Sequence, residues 1–519
     1  MNNEWRRVQT LFASGDVAEA ARVAEKAVRN GPAPLAVHLL LIAAYLKLDR
    51  YRDAARTAAH AAKRPPAQPG ELIELAKRLL YFNLSGALVD VAKRLLAGPV
   101  WHVGAEADLA ALVSMVGEQT IASALLDRAA RVAGINGAVL YNRSQMRLYR
   151  GQMAEAEADL RQALKLEPGV AKSHWALSKL PKASISDADI AAIQALAKGP
   201  LRDSPDEAFL QYALFNHLDR RDRVDEAWTA LARACEVKRR SLSYDTGNSR
   251  VLFEALIARF PVGADLALAL PTTTGPTPIF VVGMHRSGTT LLERILGNHS
   301  EVTEAGELYD FPAQLRWAIG RHFNGPSDIA VVEAYDSIDF PALGQRYLDQ
   351  VRWRANGKPF LVDKLPSNFI NAGYLQRALP QAKILHMRRN AMDTCFSNLK
   401  ELFSNACAYS YDQDELADYF SLYRRLTAHW QQALPGYVLD VSYEELTADP
   451  EGQARRILAF CGLDWQPGCI DVGSNTRAVN TASSAQVREP IHRRNVEAWR
   501  RYAPHLTRLQ ARLAENGLI

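Results

Sequence analysis

The sequence predicts an all-α helical-repeat solenoid followed by an α/β domain with a central parallel sheet. Three observations carry this: small residues recur with a period of 34 through residues 1–180, a Pro/Thr/Gly-rich stretch interrupts the chain from Pro271, and β-branched apolar runs alternate with helical segments beyond it. At ~150 residues per domain, 519 residues suit two to four units. Lys and Arg number 62 against 57 Asp and Glu, a net charge of +5 that calls for no nucleic-acid surface and leaves room for a local basic site. The opening residues are charged and polar where a signal peptide needs an apolar core, and no run of ~18 apolar residues occurs later. A cytoplasmic protein without a transmembrane segment is expected. The cysteines at 235, 395, 407, 461 and 469 lack CxxC spacing and histidine partners, which favours buried free thiols over a disulfide or zinc framework.

The repeat is the first element. Gly15, Asp49, Gly117 and Gly151 are spaced by 34, 68 and 34 residues, each before a helix pattern rich in small residues. Ala20, Ala54, Ala122 and Ala156 keep the register, as do Ala27, Ala61, Ala129 and Ala163. Pro32, Pro66 and Pro168 close the pairs, with Gly134 in the equivalent position. These positions resemble the tetratricopeptide repeat. Around Asn83 the alanine register is lost to Leu88 and Leu95, so that copy is expected to be degenerate or shifted, and a hairpin with Ala227 and Ala234 after Asp222 is out of phase. Such an array leaves a surface free for a peptide or protein partner; a purely capping or dimerising role is the alternative.

The stretch Pro271 to Pro278 cannot continue a helix and marks the start of the second domain. Strands are expected at Ile279 to Val282, Phe360 to Val362, Lys383 to Met387 and Tyr437 to Val441, with helices between them. The expected domains are therefore 1–180, the solenoid; 181–270, a helical extension and linker; and 271–519, the α/β domain.

The most informative segment runs from Pro278 to His299: an apolar strand, a loop from Gly283 to Thr290, then an amphipathic helix. Two glycines let the backbone curl, the helix N-terminus offers free N–H groups and a favourable dipole, and Ser287, Thr289 and Thr290 add hydroxyl donors. The spacing is GxxxxG, as in a Walker A loop, but Thr289 stands where the Walker lysine would be, and the loop's cation is Arg286. Asp440, on the strand from Tyr437, could pass for a degenerate Walker B acid.

Arg286-Ser287-Gly288-Thr289-Thr290 resembles the phosphosulfate loop of sulfotransferases that use 3′-phosphoadenosine 5′-phosphosulfate (PAPS). The match is closest to the protein-tyrosine sulfotransferase branch and its bacterial repeat-bearing relatives, which implies a P-loop-like sulfotransferase domain. A strand from Lys383 runs into Arg389 and Ser397, eight residues apart, a pair able to clasp one phosphate; the resemblance makes this the 3′-phosphate site. The stretch from Thr481 to Arg494 resembles the family's cofactor-closing loop. By that resemblance Ser483 stands near the transferring group, Arg488 and Arg493 near cofactor phosphates, and Tyr443 against the nucleotide. Glu401 and Ala498 depart from the pattern, standing where the tyrosine-sulfating enzymes place basic cofactor contacts.

Sulfuryl transfer needs an in-line acceptor hydroxyl, a base, and positive charge on the departing phosphate oxygen; no metal is required in principle. Glu307, after Gly306, resembles the family's glutamate base, with Glu304 and Glu301 as competing carboxylates. Lys364, beside Asp363, resembles the lysine that stabilises the leaving group; its bland alternative is a surface pair with Asp363. His285, His386 and His492 flank the motifs as structural histidines. The resemblance thus implies PAPS as cofactor, adenosine 3′,5′-bisphosphate as product, and a hydroxyl acceptor: a peptide tyrosine, carbohydrate, lipid or small metabolite. A P-loop phosphotransferase using ATP and Mg²⁺, or a non-catalytic repeat scaffold, are the competing classes.

Overall fold

Five positions 34 residues apart, Gly15, Asp49, Asn83, Gly117 and Gly151, all have positive φ, between 53° and 87°. Each ends one helix and turns the chain into the next, a conformation that glycine adopts freely and Asp or Asn tolerate. The computed structural model describes residues 2–133, 136–180, 185–263, 274–403, 405–475, 477 and 489–519. Helices begin at Leu35, Pro69, Val103, Gly137, Ala171 and Pro205, and their partners at Val17, Tyr51, Ser85, Gln119, Met153 and Asp187, each series strictly 34 apart. The copy around Asn83 is thus in phase, and Leu88, fully buried, fills the space that alanine fills elsewhere. Ala20, Ala54, Ala122 and Ala156 are wholly buried, which lets neighbouring helices approach closely. The helix from Val224 breaks the period by three residues, matching the phase slip read at Asp222.

The chain divides into two compact units. One comprises residues 1–135, 309–339 and 349–353; the other comprises 136–308, 340–348 and 354–519. In the first, the segment after Tyr309 is stitched to the repeats: Arg52 donates to the carbonyls of Trp317 (2.7 Å) and Ala318, and Tyr81 stacks on His322 at 4.3 Å.

The second unit holds the sheet: β1 (Thr277–Gly283), β2 (Val302–Glu304), β3 (Phe360–Asp363), β4 (Lys383–Arg388) and β5 (Val438–Ser442). All pairings are parallel, in the order β2-β3-β1-β4-β5. Central β1 is buried on both faces. Ile279 and Val281 pack with Leu292, Ile295, Val362, Leu385 and Ile457, and Phe280 packs on Tyr347 from the other side. β2 has no apolar run, yet all three residues are buried. Thr303 donates to Ala355 O at 2.9 Å and Glu304 accepts from Arg294 at 2.9 Å, so the strand's polar groups are satisfied internally. All five cysteines are buried and free. Among the described residues no helix is long and apolar enough to cross a membrane, and no group of three His, Cys, Asp or Glu is placed to hold a metal.

The register decides where chemistry can gather. Gly283 pairs with Met387, Phe280 with Asp363, and Glu304 with Val362. The loop after β1, Arg389 after β4, Lys364 after β3 and Glu307 after β2 therefore all emerge at the carboxyl ends of parallel strands, where sheets of this kind open their crevices.

Candidate active site

The loop after β1 owes its shape to two glycines. Gly283 has φ 153° and a Cβ there would come 2.5 Å from Met387 O; Gly288 has φ 108° and a Cβ there would meet the Tyr443 ring at 2.5 Å. Arg286 between them is held at φ 67°, an unfavourable conformation for an arginine, of the kind that persists where surrounding structure over-determines it. Gly288 caps the helix Thr289–Gly297, whose first N–H groups have no partner within the helix. Ser287 Oγ, buried beneath the loop, has no hydrogen-bond partner among the described residues.

Arg389 closes one side. Its guanidinium donates to Arg286 O at 3.0 Å and to Asn495 O, lies 4.9 Å from the Tyr443 ring centroid, and keeps a buried Nε without a partner among the described residues. Ser397, on the helix Ala391–Leu399, takes Arg286 Nε at 3.5 Å, so this hydroxyl stands beside Arg286. From the same helix Asn398 donates to His285 O at 2.8 Å and anchors the loop, a role no motif announced. Lys400, two residues on, carries no motif either. Desolvation pushes its ammonium down to about 8, with Asp219 and Glu401 opposing and Arg286 and Arg389 reinforcing the drop. The charges of Arg286 and Arg389 thus both act on the Lys400 ammonium, which lies 4.9 Å from the Phe396 ring centroid.

The departures from the family pattern have definite surroundings. Glu401 accepts from Lys179 at 2.7 Å and lies 3.9 Å from Arg286. Ala498 opens a 3₁₀ stretch, Ala498–His505, whose approach is pinned by Asp393 accepting from Glu497 N and Trp499 N at 2.7 and 3.3 Å. Arg493 is exposed. Ser483 and Arg488 lie outside the described residues.

At β2 and β3 a second cluster forms. Lys364 is wholly buried, and its Nζ donates to Glu307 Oε1 at 2.6 Å and sits 3.8 Å from Glu293 Oε2. Glu307 stays one-third exposed, so the pair has a solvent side. The surface pairing of Lys364 with Asp363 is not formed: Asp363 is buried and accepts from Tyr347 at 2.9 Å. Of the three carboxylates that follow the phosphate-type loop, Glu304 is taken by Arg294 and Glu307 pairs with Lys364, which also has Glu293 within 3.8 Å. Glu293 accepts from Gly306 N at 3.0 Å, and Lys364 N donates to Gly306 O at 3.0 Å, so the Gly306 turn is clamped on both sides. Burial pushes the Glu293 carboxyl up to about 7 against the pull of Lys364. Burial and then the charge of Glu307 raise the Tyr149 phenol, which puts a residue of the helix Gly137–Tyr149 in the field of that carboxylate. Burial opposes the charged form of Lys364, but Glu307 and Glu293 more than offset it and hold it protonated.

The remaining candidates are occupied otherwise. His285 is driven to about 4 by burial and is neutral near pH 7, with Nδ1 at 3.2 Å from the Tyr409 hydroxyl. Asp440 is held by His386 (2.7 Å), Arg388 (2.9 Å) and Gln431 (2.6 Å). His492 lies 3.3 Å from Glu489.

Residues 278–467 match the sulfotransferase family. An uncharacterized protein of Aquifex aeolicus is 32% identical over 332 residues, covering 62% of this chain and 43% of its own, so the present chain spans under half the length of that relative. Protein-tyrosine sulfotransferase 2 of Gallus gallus is 24% identical over 253 residues, covering 44% and 63%. Among solved structures, the sulfotransferase domain of the Synechococcus PCC 7002 olefin synthase is similar at 21% identity and a TM-score of 0.33, over 44% of this chain and 90% of that domain. The segment that carries the glycine loop, Glu307, Lys364 and Arg389 is a sulfotransferase-family domain.

Proposed function

We propose that the protein transfers a sulfuryl group from PAPS to an acceptor hydroxyl in the cytoplasm, with a tetratricopeptide-type array that binds the acceptor or a partner. The observation that carries this reading is the Lys364–Glu307 ion pair at 2.6 Å, set on the same sheet edge as a phosphate-type loop whose cation is Arg286. The residues suit the cofactor: Ser287 Oγ and Arg389 Nε are buried polar atoms with no partner among the described residues, beside a loop whose Gly288 packs so closely on the Tyr443 ring that a Cβ has no room. Arg286, Ser287, Thr289, Thr290 and the loop N–H groups would hold the 5′-phosphosulfate. Arg389, Ser397 and Lys400 would hold the 3′-phosphate, with Tyr443 against the nucleoside and Ser483, Arg488 and Arg493 closing from the C-terminal stretch. When bound, the cofactor supplies an activated sulfuryl group on a phosphate leaving group.

Glu307 takes the acceptor's proton as its oxygen attacks, and Lys364 places positive charge on the oxygen that departs with the phosphate. Each preorganised donor of this kind contributes ~3 kcal/mol, a few hundredfold in rate. A peptide tyrosine is the acceptor we favour, because a helical array suits an extended polypeptide. Helix starts 34 residues apart support the tetratricopeptide reading, and that array over 1–180, an extension over 181–270 and the transferase over 271–519 is the organisation we propose.

Calorimetric titration with adenosine 3′,5′-bisphosphate, beside ATP with Mg²⁺ and repeated on Arg389→Ala, tests the cofactor. Micromolar binding of the bisphosphate, lost in the variant and unmatched by ATP, is expected. A preference for ATP would make the protein a phosphotransferase, and binding of neither would make it a scaffold. Transfer of labelled sulfate from PAPS to tyrosine peptides, against sugar and lipid acceptors, tests the second substrate.

A further inference from the structure

The helix that begins at the anion loop also carries a buried acid. Glu293 lies one turn into Thr289–Gly297, and its two oxygens reach two different parts of the catalytic pair. Oε1 accepts from Gly306 N at 3.0 Å, immediately before Glu307, and Oε2 stands 3.8 Å from Lys364 Nζ. Lys364 N in turn donates to Gly306 O at 3.0 Å. Three elements, the helix, the turn after β2 and the end of β3, therefore meet through this one carboxyl group.

A single buried ammonium faces two carboxyl groups, Glu307 at 2.6 Å and Glu293 at 3.8 Å. Two ionised carboxylates on one cation would leave net negative charge in a water-poor place, which is costly. Glu307 is one-third exposed, whereas Glu293 is enclosed. Burial lifts the Glu293 carboxyl to about 7. The charges that face it come from every element around it: Lys364 opposes the rise, Glu304 and Glu307 add to it, and Arg294 opposes it.

We propose that Glu293 is a positioning residue of the catalytic pair: Oε1 fixes the Gly306 turn that carries Glu307, and Oε2 sets how much of the Lys364 charge is left for Glu307 and for the oxygen that departs with the phosphate. As the neutral acid, Glu293 leaves the ammonium to Glu307. As the carboxylate, it draws that charge inward, away from the reacting atoms. The coupling runs both ways, so taking the charge off Glu307 loosens the proton on Glu293. The inference rests on Glu307 and Lys364 being the base and the leaving-group cation.

The test begins on the protein without cofactor. Carboxyl-carbon NMR titrations of wild type, Glu293→Gln and Glu307→Gln are expected to show one signal with a midpoint of about 7 that is missing in Glu293→Gln. In Glu307→Gln that signal should persist and its proton affinity should fall about tenfold. An unchanged midpoint, or loss of the signal in Glu307→Gln, would overturn the coupling, and this comparison stands even if Glu293→Gln fails to fold. Turnover with PAPS gives the second readout. Wild-type turnover should drop roughly fivefold from about pH 6 to about pH 8.5, while Glu293→Gln, which keeps an oxygen for Gly306 N without the charge, should stay level. Equal slopes in the two proteins would overturn the proposal. Coupled titration in a protein that transfers no sulfuryl group would sink the sulfotransferase reading alone.

Discussion

Lys364 and Glu307 meet at 2.6 Å with the lysine wholly buried and the glutamate one-third exposed, so the ion pair has a closed end and an open end. The cation is fixed by the protein interior, while the carboxylate can receive a proton from outside.

Truncating either member should therefore affect rate more than binding. Glu307→Gln is expected to cut turnover at least a few hundredfold while bisphosphate affinity changes less than about threefold. Single-turnover kinetics beside calorimetry separates the two effects. Wild-type turnover in Glu307→Gln would remove it as the base.

Glu293 supplies a pH-dependent stability term. Its carboxyl is raised from 4.5 to about 7, so the native state holds a proton that the unfolded chain has already released across that interval. Its contribution is present in acid and is lost as pH rises through 7. Lys364, Glu307, Glu304 and Arg294 are the charges that face it. In Glu293→Gln the urea midpoint should improve relative to wild type between about pH 5 and about pH 8; a gap constant with pH would contradict the assignment.

Lys400 should make anion binding take up protons. With its ammonium lowered to about 8, it is partly neutral in the free protein at pH 8, and a bound anion favours the charged form. Affinity for the bisphosphate should fall as pH rises from 7 to 9. Calorimetry at pH 8 in buffers of different ionisation enthalpy should register net proton uptake in the wild type and none from this source in Lys400→Met.

Gly288→Ala strikes the cradle itself. The added methyl meets the Tyr443 ring at 2.5 Å and the backbone sits at φ 108°, so ring and loop must both shift. A stability loss of roughly 1–3 kcal/mol is expected, along with loss of bisphosphate binding that Arg286→Ala and Arg389→Ala reproduce without the strain. Retained binding in Gly288→Ala would show that the cradle is not the ligand's place.

The parts legible in the sequence are those whose physics is local. A strand of Ile279 to Val282 followed by two glycines and hydroxyl residues announces an anion loop because every participant lies within a dozen positions. The repeat was legible through its turn residues, and Asn83 marked the copy whose alanines had been replaced. β2 escaped notice because its polar residues are satisfied by Ala355 and Arg294, partners that sequence spacing does not reveal. Glu293 reads as an ordinary polar position on an amphipathic helix, and only the packing of β3 beside it brings Lys364 within 3.8 Å. Lys179 and Glu401 lie 222 residues apart, beyond any motif.

The chain passes from one compact unit to the other five times, at residues 135, 308, 339, 348 and 353. Two domains joined end to end would need a single crossing. The first repeats are paired with the segment from Tyr309, which begins two residues after Glu307. An exchange of residues 1–135 at a single junction would therefore strip the segment after Tyr309 of the Arg52 and Tyr81 side chains it packs on.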